Sequence, residues 1–320
     1  MVETAQPEPL QVIEMKPCPL CKKEQGKLLR TGIREDPTWP IFKCQRCNLQ
    51  YIEPRFTDIH EYYAKEYREQ HESIFGSQLT PEQRFRLMWP SMAEPMARIR
   101  DLIPDGASVL EIGCSAGSLL DHMQKSGYEV FGSEWNAEDA AYVRDIGGIP
   151  CEEGPIEEIF PGKRFTAIVA LQVLEHQPDP IEFIRQLKAR LIGGGYLYIE
   201  VPNVNNALLT AYGIEEYKKF FYTEPHITYW ERETLGAMCS SMGIEATIGL
   251  RQRYGLMNHI SWLVNREPMP DYGLATSYMK FVAKEHPLYA IMGRLTGKLD
   301  KEYRIGLDTI LASDTVLSLI

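Results

Sequence analysis

A chain of 320 residues with 44% hydrophobic side chains is long enough for one large folded domain or two. Its net charge of −10 makes it a poor general binder of nucleic acid, unless a local basic patch overrides the balance. No run of eighteen apolar residues marks a membrane span, and the opening MVETAQPEPLQVIEMK has neither segment of a secretory signal, so a cytoplasmic protein is expected.

Four of the seven cysteines form two pairs, Cys18-Pro-Leu-Cys21 and Cys44-Gln-Arg-Cys47, with 22 residues between them. That spacing fits metal binding in a reducing compartment better than a disulfide framework. Two tight CxxC turns can point four thiolates at one ion, for which zinc is the usual choice. Lys27–Thr31, Ile41–Lys43 and Leu49–Ile52 read as strands, so residues 1–56 are expected to form a zinc ribbon. Four thiolates leave no open coordination position, so the metal is a staple for a unit too small to hold a core alone. Lys22, Lys23, Lys27, Arg30, Arg34 and Lys43 against Glu24, Glu35 and Asp36 give the ribbon a weak positive bias.

The run Cys44-Gln-Arg-Cys-Asn-Leu-Gln-Tyr-Ile-Glu-Pro-Arg-Phe-Thr, followed by Glu61-Tyr-Tyr-Ala-Lys-Glu-Tyr67, resembles a known leader. It is that of the zinc-ribbon class I methyltransferases of cell-surface glycan and antibiotic-sugar pathways. Asn48 stands where their pattern prefers glycine; asparagine tolerates a left-handed turn position. The resemblance implies that the Tyr-rich helix packs over a cofactor cleft, with Tyr62, Tyr63 and Tyr67 as contacts. An amphipathic helix with ordinary core tyrosines is the plain alternative. Residues 57–104 read as a helical lid or linker: Thr80-Pro-Glu-Gln83 starts one helix, and Ser91-Met-Ala-Glu94 reads as a second capping box.

Residues 105–252 carry the densest signal. Val109, Leu110 and Ile112 read as a buried strand, Gly113 and Gly117 as a Gly-rich turn, and Ser118–Ser126 as a helix. A second strand, Tyr128–Ser133, stops at Glu134. Glycines let the backbone approach a ligand, and a helix N-terminus faces it. An acid ending the second strand can accept both ribose hydroxyls of an adenosine. The order Glu111-x-Gly113-x-Ser115-x-Gly117 differs from the G-x-G-x-x-G of nicotinamide sites. It resembles motif I of the class I S-adenosylmethionine (SAM) methyltransferases, E/D-x-G-x-G-x-G, with Ser115 at the middle glycine. A serine fits there if its φ stays negative. The same residues match a G-x-S-x-G nucleophile elbow, which leaves Glu111 and Glu134 without a role; a ligand-free turn is the third reading. The resemblance implies SAM held by Glu111, Gly113, Cys114, Ser115, Gly117, Glu134 and Trp135.

Asn136 caps the next helix, to Ile146, and a short strand surrounds Ile149–Cys151. Gly154-Pro-Ile-Glu157 falls where the resembled enzymes hold the adenine, which implies Ile156 on the ring and Glu157 at its amino group. Phe165–Leu171 is a continuous apolar run and a central strand. It leads into Gln172-Val-Leu-Glu-His176, an Asp179-capped helix, and the strand Tyr196–Val201 closed by Pro202-Asn203. This stretch resembles the family pattern V-L-E-H-x-x-D-P…L-x-x-G-G-x-L-x-I-x-V-P-N, which implies Leu171 and Gln172 beside the cofactor. A helix over about Glu231–Met242 and a strand at Ile244–Leu250 complete the unit. The expected fold is α/β and Rossmann-like, that of class I methyltransferases. It has a mostly parallel seven-stranded sheet with helices on both faces, and ligands lie at the carboxyl ends of the strands. Residues 253–320 read as a mainly helical C-terminal extension, with Lys298–Ile320 as one helix. The stretch from Arg251 to Trp262 resembles the R-Y-x-L-x-N-H-x-x-W-L segment of the same group.

Methyl transfer from a sulfonium needs an in-line nucleophile, a dry site and often a base. Histidine is neutral and basic near pH 7. His226 lies in Phe220-Phe-Tyr-Thr-Glu-Pro-His226-Ile-Thr-Tyr-Trp230 and is the favoured base, with Glu224 orienting it or holding a substrate hydroxyl. His176 is the acceptor-side helper and His259 the third candidate. Arg251 and Arg253 are candidate contacts for the phosphates of a nucleotide sugar. The resulting expectation is a SAM-dependent methyltransferase with a structural zinc. Its acceptor is a hydroxyl, or a carbon, of a sugar, nucleotide sugar or glycan intermediate; oligomeric state is left open. The rivals are an RNA methyltransferase that grips RNA with the ribbon, against which the acidic balance counts, and a non-catalytic zinc-ribbon interaction protein, against which Gly113, Gly117 and Glu134 count.

Overall fold

The computed structural model describes residues 17–56, 58–68, 78–269 and 288–319; the N-terminal stretch read for a signal lies outside them. The β-strands in chain order are β1 Gly26–Thr31, β2 Pro40–Cys44, β3 Gln50–Tyr51, β4 Ser108–Ile112, β5 Glu129–Ser133, β6 Cys151–Glu152, β7 Phe165–Leu171, β8 Leu191–Pro202, β9 Thr228–Tyr229, β10 Thr247–Arg251 and β11 Thr315–Leu319. The helices that matter below are α1 Pro81–Met88, α2 Ala93–Leu102, α3 Ser118–Lys125, α4 Ala137–Asp145, α5 Pro180–Ala189, α6 Glu215–Phe221, α7 Arg232–Ser241, α8 Leu256–Asn265 and α9 Leu288–Thr309. No helix among the described residues is long and apolar enough to cross a membrane.

The main sheet has seven strands in the order β10-β11-β8-β7-β4-β5-β6. Its inner strands are parallel, while β11 runs antiparallel between β8 and β10. The period-2 pleat sends alternate residues to opposite faces. Leu110, Ile112, Ile168, Ala170 and Ile199 pack with Phe183 and Leu187 of α5 and Leu235 of α7. Val109, Ala167, Val169 and Tyr198 pack with Ile99 of α2, Leu119 and Met123 of α3, and Val143 of α4. Both faces are covered, which is why β7 reads as an unbroken apolar run. This is the Rossmann-like α/β methyltransferase fold expected from the sequence.

Several helix starts are as read. Thr80 accepts from the Gln83 amide, while the Gln83 side chain takes the Thr80 amide. Asn136 and Asp179 cap α4 and α5. Two expectations differ. Ser91 caps nothing: it lies in a 3-10 turn, Trp89–Met92, and its hydroxyl donates to the Met88 carbonyl. The tail is not one helix, because α9 ends at Thr309 and β11 follows. Asp314 forces that break: it accepts the amides of Arg253 and Tyr254 and the Gln252 side chain, which draws the tail into the sheet.

Arg251, expected to meet a phosphate, is instead 3% exposed and paired with Glu200 at 2.7 Å and Glu94 at 3.2 Å. Glu200 also accepts from the Tyr198 hydroxyl at 2.7 Å. This network ties β8 to β10 across β11. Removing the carboxylate leaves the buried guanidinium only the partly exposed Glu94, so Glu200→Ala is expected to lower stability by about 3 kcal/mol. Denaturant unfolding checks it; a change below about 1 kcal/mol, the range of exposed pairs, would count against a structural role for the pair.

Candidate active site

The turn after β4 is held by its neighbour strand. The amides of Gly113 and Cys114 both donate to the Ser133 carbonyl, at 2.8 and 3.1 Å. Gly113 and Gly117 sit at φ +68° and +79°, and a Cβ on Gly117 would stand 2.9 Å from Val143. Both need glycine for conformation, and Gly117 also for space. Ser115 was expected at negative φ; its φ is +50°. The turn carries this because its amide donates to Glu134 Oε2 at 2.8 Å. Asn136 donates its amide to Oε1 at 2.9 Å, so the carboxylate is aimed across the turn with lone pairs to spare. Burial raises the Glu134 carboxyl above its ordinary pKa, against the pull of Arg68. The Ser115 hydroxyl meets Arg68 and Asp139. A nucleophile elbow needs an imidazole there.

A cavity of about 620 Å³ opens at the carboxyl ends of β4, β5 and β7. Glu111, Gly113, Cys114, Ser115, Glu134 and Trp135 line one end, and Ile156, Glu157, Leu171 and Gln172 extend it. Gly117 shapes the turn without lining the cavity. Two buried polar atoms have no hydrogen-bond partner here, Gln172 Nε2 and Glu111 Oε2. Gln172 is held at φ +56°, a strained value for a side chain of its size. Burial pushes the Glu111 carboxyl well above the carboxylate range. An orphaned donor, an orphaned acceptor and an aimed carboxylate in one cavity suit a polar ligand such as an adenosine.

Sequence reasoning missed what closes this end. Asp139, in the first turn of α4 and fully buried, receives both Arg68 and Arg84. Arg68 follows the Tyr-rich helical segment, Ile59–Glu61 continued by Tyr62–Glu66, and Arg84 sits on α1. The sequence offered Asp139 only as an acid near a helix start, a common favourable placement.

His176 and His226 stand at the other end, their ring centroids 4.8 Å apart. His176 ends a 3-10 turn, Leu174–His176, directly after β7. Its Nδ1 meets the Pro225 carbonyl at 2.8 Å and the Tyr63 hydroxyl. Tyr63, expected beside the cofactor, lines the cavity and bonds at the acceptor end. Glu175 is fully buried; burial pushes its carboxyl up to about 8, against the pull of Arg253. Its Oε1 lies 3.9 Å from His176 Nε2.

Three sequence assignments change. Glu224 does not orient His226: it accepts the Arg55 amide at 3.1 Å and does not line the cavity. The carboxylate beside the imidazoles is Glu175, whose place after β7 was part of the quoted motif but was given no role. His259 is buried elsewhere, between Gln252 and Tyr303, and burial lowers it to about 4. Arg251 and Arg253 both line the cavity, Arg251 buried in its ion pairs and Arg253 half-buried.

The four cysteines converge. Cys18–Cys47 and Cys21–Cys44 sulfurs are each 3.6 Å apart, and all four lie within 4.8 Å of one another. A tetrahedron with metal–sulfur bonds of about 2.3 Å has edges of ~3.8 Å, so the set fits a zinc ion. Asn48 takes the left-handed conformation expected of it, φ +62°. The ribbon sheet has the order β1-β2-β3-β9, and β9 comes from the segment that carries His226. Gln50 pairs with Tyr229 and Tyr51 with Thr228. Arg34 donates to the Phe220 carbonyl, and Glu35 accepts the Glu224 amide and the Thr223 hydroxyl.

Residues 82–247 match a family profile described as a methyltransferase domain, and the chain belongs to that family. It is 32% identical over 136 residues to the tRNA U34 carboxymethyltransferase of Colwellia psychrerythraea, covering 40% of each. It is 25% identical over 130 residues to the ubiquinone biosynthesis O-methyltransferase of Aliivibrio fischeri, covering 36% of this chain and 53% of that protein. The chain thus spans two fifths to about half the length of these curated relatives. Among solved structures it is similar to the plantazolicin methyltransferase BpumL in complex with SAH, with a TM-score of 0.45 and 14% identity over 82% of this chain and 93% of that one.

Asp139→Ala removes the carboxylate that both Arg68 and Arg84 meet. It is expected to destabilise the protein by about 3 kcal/mol and to speed amide hydrogen exchange in α1. Unchanged exchange in α1 would show that the two arginines do not clasp it to α4.

Proposed function

We propose that the protein transfers the methyl group of SAM to a hydroxyl, or a neighbouring carbon, of a small acceptor of the sugar, nucleotide-sugar or glycan-intermediate class. The observation that carries this reading is the single cavity that joins the Gly113–Glu134 turn to the His176–His226 pair. Bound there, SAM supplies an electrophilic methyl group. Glu134 is placed to accept the ribose hydroxyls, and Gln172 Nε2 to donate to a polar group of the same ligand. Tyr63 and Tyr67, above the cavity, exclude water, which strengthens each polar contact inside. His226 and His176 meet the acceptor hydroxyl. Arg253 offers a charge to an anionic acceptor, the role the sequence suggested for Arg251 and Arg253 together.

Zinc in the four-cysteine site belongs to the same reading, and it would act through position. It would fix the turn before β1 and the turn between β2 and β3, and β3 pairs with β9 two residues beyond His226. Nucleic acid as acceptor, the class named for the tRNA relative, is opposed by the net charge of −10. Steep salt dependence of acceptor binding would favour it.

Two predictions separate the ends of the cavity. Glu134→Ala is expected to weaken SAM binding about tenfold or more by calorimetry, the worth of a charged hydrogen bond. His226→Ala is expected to cut turnover by about a hundredfold while SAM affinity stays within about twofold. Equal SAM affinity in Glu134→Ala and wild type would remove Glu134 from the cofactor site. Chelating zinc is expected to speed hydrogen exchange across 220–229 before SAM binding is lost. Simultaneous loss of both would mean that zinc holds the whole fold and not the acceptor end.

A further inference from the structure

We propose that Glu175, His176 and His226 hold a divalent cation, of the first-row kind that takes nitrogen and oxygen ligands, at the acceptor end of the cavity. The donor atoms of the three side chains lie within 4.8 Å of one another. Bonds of about 2.1 Å to nitrogen and oxygen place ligand atoms ~3–4 Å apart, so a small contraction closes the set on an ion.

The charge arrangement asks for a positive centre. Glu175 is 0% exposed, and neither of its carboxylate oxygens has a hydrogen-bond partner. Such a group is strongly disfavoured in a dry interior unless a cation or a proton meets it. The group it faces is no donor. His176 Nδ1 lies 2.8 Å from the Pro225 carbonyl, which only accepts, so Nδ1 carries the ring hydrogen. The Nε2 lone pair is then left on the side of Glu175, 3.9 Å from Oε1. Two electron-pair donors thus point at the same space. A carbonyl that fixes one ring nitrogen while the other ligates is how proteins orient metal-binding histidines.

His226 completes the set from a different segment, its ring tilted 74° to that of His176. Two imidazoles and one carboxylate on one side of an ion leave its other positions open. Both histidines line the cavity and Glu175 does not, so the open positions face the space between the two ends. The hard N/O donor set also differs from the four soft thiolates of the ribbon, which separates the two sites chemically.

That an acceptor hydroxyl takes an open position rests on the function proposed above; the binding of the cation does not. On this inference His226 is a ligand rather than the base its sequence context suggested, and the cation positions the hydroxyl and raises its acidity.

The test uses the full chain with its ribbon loaded with zinc. Equilibrium dialysis against Mn2+, and separately against Zn2+, is followed by elemental analysis. Wild type is expected to bind about one further ion per chain with either metal or both. Glu175→Gln and His226→Ala are expected to lose that ion, at least tenfold in affinity, while keeping the ribbon zinc. SAM titration of each variant reports that the fold persists; if Glu175→Gln does not fold, His226→Ala decides. No further ion in wild type with either metal, or a further ion unaffected by the variant that folds, overturns the proposal. A further ion lost in the variants together with no SAM binding by wild type would keep the cation site and refute the methyl-transfer reading.

Discussion

Two backbone-paired residues, Gln50 and Tyr51, join the cysteine ribbon to the acceptor end of the cavity, and most of what is distinctive in the molecule depends on that pairing. β9 is only two residues long and would not persist alone. Its partner β3 is equally short, and is anchored by β2 and the knuckle turns. Thr228 of β9 carries the constraint onward, donating its hydroxyl to the Glu175 carbonyl at 3.3 Å. Glu175, His176 and His226 are therefore positioned by the ribbon as well as by the main sheet. The packing agrees. Cys18, Phe42, Leu49 and Tyr51 share one apolar cluster with the main sheet, while Ile33, Ile41 and Ile52 share another with Tyr217, Tyr229 and Trp262. The ribbon thus packs on the body through two apolar clusters, while its edge strand β1 stays largely exposed.

The second organising constraint is the treatment of buried charge. Asp139 and Glu200 are at most 1% exposed, and each is met by arginine. Such pairs contribute less to net stability than to geometry, since a hydrophobic set of equal volume often does as well. Their positions suit that account. Asp139 closes helical segments over the glycine turn, and Glu200 locks β8 to the late strand β10. Glu111 and Glu175 are treated otherwise: each is a buried carboxyl that burial raises and that has an oxygen without a hydrogen-bond partner, one near each end of the cavity.

The cofactor end was legible in the sequence because local rules determine it. Gly113 and Gly117 are glycines for reasons of φ, Glu134 follows a short strand, and caps such as Thr80 and Asn136 act within four residues. Ser115 shows the limit of those rules: its left-handed backbone depends on a hydrogen bond to Glu134, 19 residues on. The acceptor end was half legible. His176 and His226 stand out in the sequence, but their spatial neighbour Glu175 does not, because only the fold brings the segment after β7 against the one that carries His226. β11 was hidden for a related reason. Its residues continue a helical apolar pattern, and only the tertiary demands of Asp314 and the open edge of β8 make them a strand.

The ribbon's cations bear on what kind of acceptor the protein meets. A ribbon that grips a nucleic acid needs its lysines and arginines presented together on an open face. Here Lys22 pairs with Asp179 at the start of α5, Arg30 approaches Glu215 at the start of α6, and Arg34 stacks 4.0 Å over Phe220. Three of the six basic residues between the knuckles are thus turned toward the methyltransferase body. These contacts hold the ribbon on α5, α6 and the segment that leads to His226. The weak positive bias of the ribbon, ambiguous as composition, is in three dimensions the adhesive of an internal brace.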